Sequence, residues 1–336
     1  MRILIISDAW EPQVNGVVRT YQNINRELHD LGHEVRVIGP GDFRSLPMPG
    51  YAEIRLALFT PAKLARMMDA YDADMIHIAV EGPLGWAART YCVERELPFT
   101  TSFHTQFPDY VAGRVPFFKN AVRRLGIKFV HAFHAPARAV FVATPSLEDQ
   151  LRSWGFTQPM VRLIRGVDFN VFHAGPGTLF RDVPRPVLLY VGRVSVEKNI
   201  EAFLNLKTAG TKVIVGHGPD LDRLKRQYRD VIFAGLQTGD ALADHYRSAD
   251  AFVFPSKTDT FGIVLIEAMA CGLPIAGYDV TGPRDIVTDA MLGVVHDDLA
   301  TALKRALIAP GTRQMREDYA RSIYSWRAVA ETFIDA

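Results

Sequence analysis

The sequence predicts an α/β protein made of two doubly wound, Rossmann-like domains. Short β-rich apolar runs alternate with helix-periodic segments along the whole chain, the pattern of parallel sheets covered by helices on both faces. The 336 residues exceed one ordinary domain and divide naturally into two. Residues 167–177, followed by Pro184 and Pro186, break the alternation near the middle and read as a linker.

Taken in order, residues 3–6 form the first strand, and residues 7–16 a loop that opens a helix. That helix carries Val17, Tyr21, Ile24, Leu28 and Leu31 at steps of four and three, and Gly32 ends it. Further strands are expected at 34–38, 53–56, 75–78, 99–103, 139–143 and 161–164. The first domain thus spans residues 1–168. A second series starts at 187–191 and continues through 212–215, 231–234, 251–254, 274–277 and 294–296, giving a second domain over 175–315. The stretch from about 312 to 336 reads as one helix with Tyr319, Ile323, Trp326, Val329 and Phe333 on one side. Two doubly wound domains hold ligands at the carboxyl ends of their strands, so a pair facing each other would form a cleft.

Composition narrows the function classes. Apolar residues make up 48% and charged residues 22%, with a net charge of +1, which gives no global basis for binding nucleic acid. The two cysteines, Cys92 and Cys271, fall in separate helical segments, arguing for a reducing compartment and against a disulfide frame or structural zinc. The opening apolar run is too short for a signal peptide, and no apolar run approaches the roughly 20 residues of a membrane span. A cytoplasmic protein, attached to a membrane at most by its surface, is expected.

The densest chemistry lies at 255–272. A strand ends at Phe254, Asp259 precedes a helix start, and Glu267 interrupts that helix's apolar surface. Amides of Phe261, Gly262 and Ile263 would be unpaired donors at the helix end, suited to a polar or anionic ligand. A buried Glu267 needs hydrogen-bond donors, which ligand hydroxyls supply; the alternative is a helix cap at Asp259 and a structural ion pair at Glu267. Arg193 and Lys198, at the turn after the second domain's first strand, suit a diphosphate, the alternative being a solvated loop pair. Gly216, in Gly216-His-Gly-Pro219, a pattern shared by many unrelated loops, permits close backbone approach to a ligand, and Gly16 fits the same role in the first domain, the alternative being a plain helix start.

His104 follows a first-domain strand at the binding edge, where it could bond a sugar hydroxyl or assist proton movement, the alternative being a core histidine. His77 reads as structural, and Glu81 more as a helix cap than as acceptor lining. No metal is expected. Asp72 and Asp74 precede a strand, which turns them from the binding edge, and His131 and His134 lack a nearby carboxylate. Between Asp109 and Glu148 there is no acidic residue, whereas Arg114, Lys119, Arg123, Arg124, Lys128 and Arg138 are interleaved with Phe117, Phe118, Leu125, Phe129 and Phe133. Such a basic, aromatic helix suits an anionic membrane surface; the alternative is a domain helix with one solvated basic face.

These residues, in order, resemble the family 4 retaining glycosyltransferases of GT-B fold over essentially the whole chain. The resemblance rests on Asn15-Gly16, Ser102-Phe-His104, Gly192-Arg193 with Glu197-Lys-Asn199, the carboxylate-x7-Glu motif at 259–267, and Ser325-Trp326. It implies that Glu267 binds the ribose of a nucleotide sugar, that Asp259 and the amides of 261–263 hold the sugar, and that Arg193 and Lys198 bind the diphosphate. It further implies that Gly16 lets its loop close over that diphosphate, that His104 contacts the sugar, and that a helix over 316–336 crosses back to the first domain. The first motif position is usually Glu and here is Asp259, so the sugar is less firmly implied. Thr258-Asp-Thr-Phe-Gly262 and Val14-Asn-Gly-Val17 are similar to the lipid mannosyl-, glucuronosyl- and sulfoquinovosyl-transferase subgroup. The expected function is transfer of a hexose or hexuronic acid from a UDP-sugar or GDP-mannose to a membrane lipid, with no cofactor beyond the donor, at the inner face of the membrane. A soluble transferase of polysaccharide or small-glycoside synthesis and a non-catalytic nucleotide-sugar-binding protein are the alternatives.

Overall fold

Ile3, Leu4, Ile5 and Ile6 are all completely buried, so the first strand lies between two helical layers, as continuous apolar runs in parallel sheets do. The computed structural model describes residues 1–13, 15–48, 51–104, 119–259 and 261–336. Arg114, Phe117 and Phe118 therefore lie outside the described residues.

The chain divides into one compact unit of Met1–Arg165 with Trp326–Ala336 and another of Gly166–Ser325. The first begins with β1 (Arg2–Ile6), α1 (Gly16–Asp30), β2 (Glu34–Ile38), β3 (Arg44–Met48) and β4 (Tyr51–Leu58). It continues through α2 (Pro61–Tyr71), β5 (Met75–Ile78), α3 (Pro83–Glu94), β6 (Thr100–Ser102), α4 (Lys119–His134), β7 (Ala139–Val142), α5 (Pro145–Ser153) and β8 (Met160–Arg162). The second unit contains β9 (Val187–Val191), α6 (Ile200–Leu204), β10 (Thr211–Val215), α7 (Leu221–Gln227), β11 (Ile232–Gly235), α8 (Gly239–Ser248) and β12 (Ala251–Phe254). After these come α9 (Ile263–Ala270), β13 (Ile275–Gly277), α10 (Pro283–Ile286), β14 (Gly293–Val295), α11 (Leu299–Ala306) and α12 (Arg313–Ile323); α13 (Trp326–Ile334) then belongs to the first unit.

Each unit holds a six-stranded parallel sheet, ordered β2-β1-β5-β6-β7-β8 in the first and β11-β10-β9-β12-β13-β14 in the second. Strand order reverses between β1 and β5 and between β9 and β12. These reversals open crevices at the carboxyl edge of each sheet. In the first unit Ile3 and Ile5 pack with Tyr21 and Ile24 of α1 and with Val329 and Phe333 of α13. Leu4 and Ile6 face the other way, onto Leu64 of α2, Leu84 of α3 and Phe133 of α4. In the second unit Leu188, Tyr190, Ile214 and Val253 share a core with Leu299 and Leu303 of α11.

Three sequence expectations are corrected. The strand at 53–56 is not part of the parallel sheet: β4 pairs antiparallel with β3 in a separate hairpin. Only two residues separate the strands in sequence, too few for a parallel crossover, and Pro47 hides β3 from alternation. The single helix expected over 312–336 is two. Its backbone leaves helix at Tyr324, Val167 bridges to Ser325, and α12 belongs to the second unit while α13 belongs to the first. Residues 166–177, read as linker, join the second unit, where Val167 N donates to Tyr324 O and Ala174 N to Glu317 Oε2.

Candidate active site

In the second unit the reversal between β9 and β12 places two loops side by side. Lys198 closes a short 3-10 turn after β9, and its Nζ lies 2.5 Å from Asp259 Oδ1 in the loop after β12. Both side chains are only about one quarter exposed (25% and 22%), so the pair is less screened than one on open surface. The other carboxylate oxygen, Oδ2 of Asp259, is buried without a hydrogen-bond partner among the described residues. A buried carboxylate oxygen left so carries a desolvation cost that a ligand hydroxyl can relieve. Asp259 is not a helix cap: α9 is preceded by Gly262 in the left-handed region (φ 88°), and no side chain caps it.

Glu267, one turn inside α9, is 4% exposed and accepts a hydrogen bond from Tyr246 Oη at 3.0 Å. Phe261 is buried; Gly262 and Ile263 are half-buried. Arg193 is exposed on the β9 loop, and its carbonyl accepts from Tyr190 Oη at 3.0 Å. Burial raises the Tyr190 hydroxyl well above its ordinary value, with the Asp259 charge adding to it. Asn199 Nδ2 donates to Pro255 O at 3.1 Å, joining the two loops. Gly216 has φ 147°, and a Cβ there would stand 1.9 Å from Gly192 O. Only glycine lets these backbones approach.

In the first unit Gly16 opens α1, whose cap Asn15 Oδ1 accepts from the amides of Val17 and Val18, both at 3.0 Å. The carboxyl edge behind it carries a polar network. Tyr21 Oη lies 2.7 Å from His77 Nε2, 2.8 Å from Ser102 Oγ and 3.0 Å from His104 Nε2. Arg165 Nη2 donates to His104 Nδ1 at 2.8 Å. Burial, then the Arg165 charge, hold His104 well below the usual histidine value. Burial lowers Arg165 to about 10, which leaves it cationic at neutral pH. His77, read as structural, is fully buried at this network, its Nδ1 2.8 Å from Thr100 Oγ1.

Two local readings change. Glu81 does not cap α3; its Oε1 is 3.1 Å from His134 Nε2, while His134 Nδ1 lies 2.8 Å from Thr101 Oγ1. His134 therefore does have a carboxylate beside it, brought by a contact 53 residues apart in sequence. The amides opening α3 are met by Asp8, whose Oδ1 and Oδ2 accept from Leu84 N and Gly85 N, each at 3.0 Å. Burial pushes the Asp8 carboxyl up, against these two bonds. Sequence reasoning missed Asp8, Tyr21, Arg165 and Tyr246; for Asp8, its place at the end of β1 was the available signal.

Asp74 Oδ2 accepts from Arg2 N at 2.6 Å, at the amino end of β1 and away from the carboxyl edge. Among the described residues no group of three or more His, Cys, Asp or Glu is placed to hold a metal. Nor is any helix among them long and apolar enough to cross a membrane. Cys92 and Cys271 are both free and buried. On α4, Val130, Phe133 and His134 are buried, whereas Arg124, Leu125, Lys128 and Phe129 are exposed. Arg123 is half-buried, its guanidinium 5.7 Å from the Trp154 ring centre.

Two parallel-sheet, Rossmann-like units are the architecture of glycosyltransferases of GT-B fold. The chain matches the Glycosyltransferase Family 4 domain over residues 14–171 and the Glycosyl transferases group 1 domain over residues 185–309, and it belongs to the family 4 glycosyltransferases. It is 28% identical over 322 residues to a GDP-mannose-dependent alpha-mannosyltransferase of Mycobacterium tuberculosis, covering 88% of this chain and 83% of that one. It is 27% identical over 355 residues to the alpha-monoglucosyldiacylglycerol synthase of Streptococcus pneumoniae, covering 92% and 79%. Its fold superposes on sucrose-phosphate synthase from Thermosynechococcus elongatus with a TM-score of 0.77 at 20% identity, covering 99% of this chain and 97% of that chain.

Proposed function

We propose that this enzyme transfers a hexose or hexuronic acid from a UDP-sugar or GDP-mannose to a membrane lipid acceptor, such as diacylglycerol or a glycolipid, with retention at the anomeric carbon. The observation that carries the reading is the Lys198–Asp259 pair at the β9/β12 reversal, with one carboxylate oxygen buried and lacking a donor among the described residues. Sugar hydroxyls would supply donors to that oxygen. Glu267, held by Tyr246, would take the ribose hydroxyls, and the α9 amides of 261–263 would complete the donor cradle. Arg193 and Lys198 would hold the diphosphate and stabilise the charge it gains as it leaves. With two cations in that role, the reading calls for neither a metal nor a cofactor beyond the donor. The first unit would bind the acceptor and present His104 to the transferred sugar.

The step forms the bond from the acceptor oxygen to the anomeric carbon and breaks the anomeric carbon–phosphate oxygen bond. The acceptor's proton passes to the leaving phosphate oxygen, and the nucleoside diphosphate departs. The lipid acceptor is supported by the likeness to an alpha-monoglucosyldiacylglycerol synthase and by the exposed Arg124, Leu125, Lys128 and Phe129 on α4, a basic and apolar face suited to the inner surface of an anionic membrane. Purified protein mixed with anionic liposomes containing diacylglycerol, a panel of UDP- and GDP-sugars and a chelator should yield a glycolipid detectable by mass spectrometry. Donor hydrolysis without glycolipid would move the acceptor to a soluble glycan, and loss of activity with chelator would overturn the metal-free reading.

A further inference from the structure

We propose that Arg165 is a positioning residue that fixes His104 as its Nε2–H tautomer, with that N–H directed at Tyr21. A guanidinium nitrogen can only donate, and Arg165 Nη2 stands 2.8 Å from His104 Nδ1. Nδ1 must therefore offer its lone pair, which places the ring proton on Nε2, 3.0 Å from Tyr21 Oη. Arg165 is itself held from behind: it is 7% exposed, and Nη1 donates to Leu163 O at 2.7 Å. The Tyr21 ring meets the imidazole edge-on, with centroids 5.6 Å apart. The ring thus has a defined orientation and a defined proton, set by two residues 144 positions apart in the chain (165 minus 21).

The same contact keeps His104 uncharged, because adding a proton at Nδ1 would set it against the Arg165 N–H. The titratable and charged groups facing His104 among the described residues are Tyr21 from α1, His77 from β5, His134 from α4 and Arg165 after β8. Glu81 lies beyond His134, on its Nε2. Burial and Arg165 both act against protonation. On the proposed function, which this inference deepens and rests on, His104 borders a sugar carbon that gains positive charge at the transition state. A second proton on His104 would oppose that charge, so a ring held neutral favours transfer.

Long-range proton–nitrogen spectra of the 15N-histidine-labelled full chain test the tautomer without any variant, the His104 signals being identified by their loss in His104→Asn. The expected result is a neutral Nε2–H ring that persists at about pH 6, where an ordinary histidine of pKa about 6.5 is mostly protonated. An Nδ1–H tautomer, or a doubly protonated ring at that pH, overturns the proposal. In Arg165→Leu, His104 should titrate at higher pH, and the acid limb of kcat should move up with it; Arg165→Lys should restore both in part. A loss of kcat equal at every pH, with His104 titrating as before, would reduce Arg165 to a packing role. Full transfer by His104→Asn would instead remove His104 from the sugar site while leaving the tautomer result standing.

Discussion

Tyr246 Oη of α8 donates to Glu267 Oε2 of α9 at 3.0 Å, inside a region where both residues are at most 4% exposed. A carboxylate this deep in a helix of otherwise apolar residues needs its orientation fixed, and the tyrosine supplies one fixed donor. On the proposed function, the carboxylate that this donor orients would meet the ribose hydroxyls.

Removing that donor should therefore weaken nucleotide-sugar binding more than the chemical step. Tyr246→Phe is expected to raise the donor KM about tenfold with a smaller change in kcat, since a hydrogen bond to a charged group contributes about 1.5–3 kcal/mol. Initial-rate kinetics at saturating acceptor check this. A fall in kcat at unchanged KM would place Tyr246 elsewhere in the cycle.

Lys198 is expected to act chiefly on kcat. On the proposed function, Lys198→Met would remove the counter-charge to a leaving diphosphate and should lower kcat about 10²–10³-fold. Single-turnover measurements separate this from slow product release, and a variant within threefold of the parent rate would remove Lys198 from the transition state.

His77 carries a pH signature in stability. Burial holds it at about 3, against an ordinary value of 6.5. Between those values the unfolded chain binds a proton that the folded chain refuses. The folded state is therefore progressively destabilised as pH falls from 6.5 toward 3, by up to about 1.4 kcal/mol per pH unit for one such group. Urea unfolding at pH 7.5 and pH 5 should show a smaller pH dependence in His77→Gln than in the parent. Equal dependence would contradict the assignment.

On α4, Arg124 and Lys128 are exposed beside Leu125. Replacing both cations by alanine should weaken binding to vesicles rich in anionic lipid by about tenfold or more, each charge contributing about 1 kcal/mol near such a surface. Raising salt should weaken the parent in the same way. Binding unaffected by both changes would remove α4 from the membrane contact.

Much of this was legible in the sequence because buried parallel strands are continuous apolar runs: residues 187–191 and 251–254 are found as β9 and β12. Arg193, Lys198 and Asp259 stood out because each follows such a strand, and sheet order brings those ends together. Tyr21 did not stand out, since a tyrosine at helical spacing reads as core, and it is indeed fully buried; only its hydroxyl reaches the histidines. Arg165 and the Glu81–His134 pair depend on contacts 61 and 53 residues apart, which no local pattern encodes. The break between α12 and α13 was hidden because helical periodicity continues through Tyr324 and Ser325, where bonds to Val167 redirect the chain.

Calorimetric titration of nucleotide sugars into the parent protein and into Glu267→Ala tests the donor site most directly. The account predicts that at least one UDP-sugar or GDP-mannose binds the parent, and that Glu267→Ala, with its circular dichroism unchanged, binds it at least about 100-fold more weakly, near the upper end for a lost charged hydrogen bond. Equal affinity in the two proteins, or no binding of any nucleotide sugar to the parent, would contradict it.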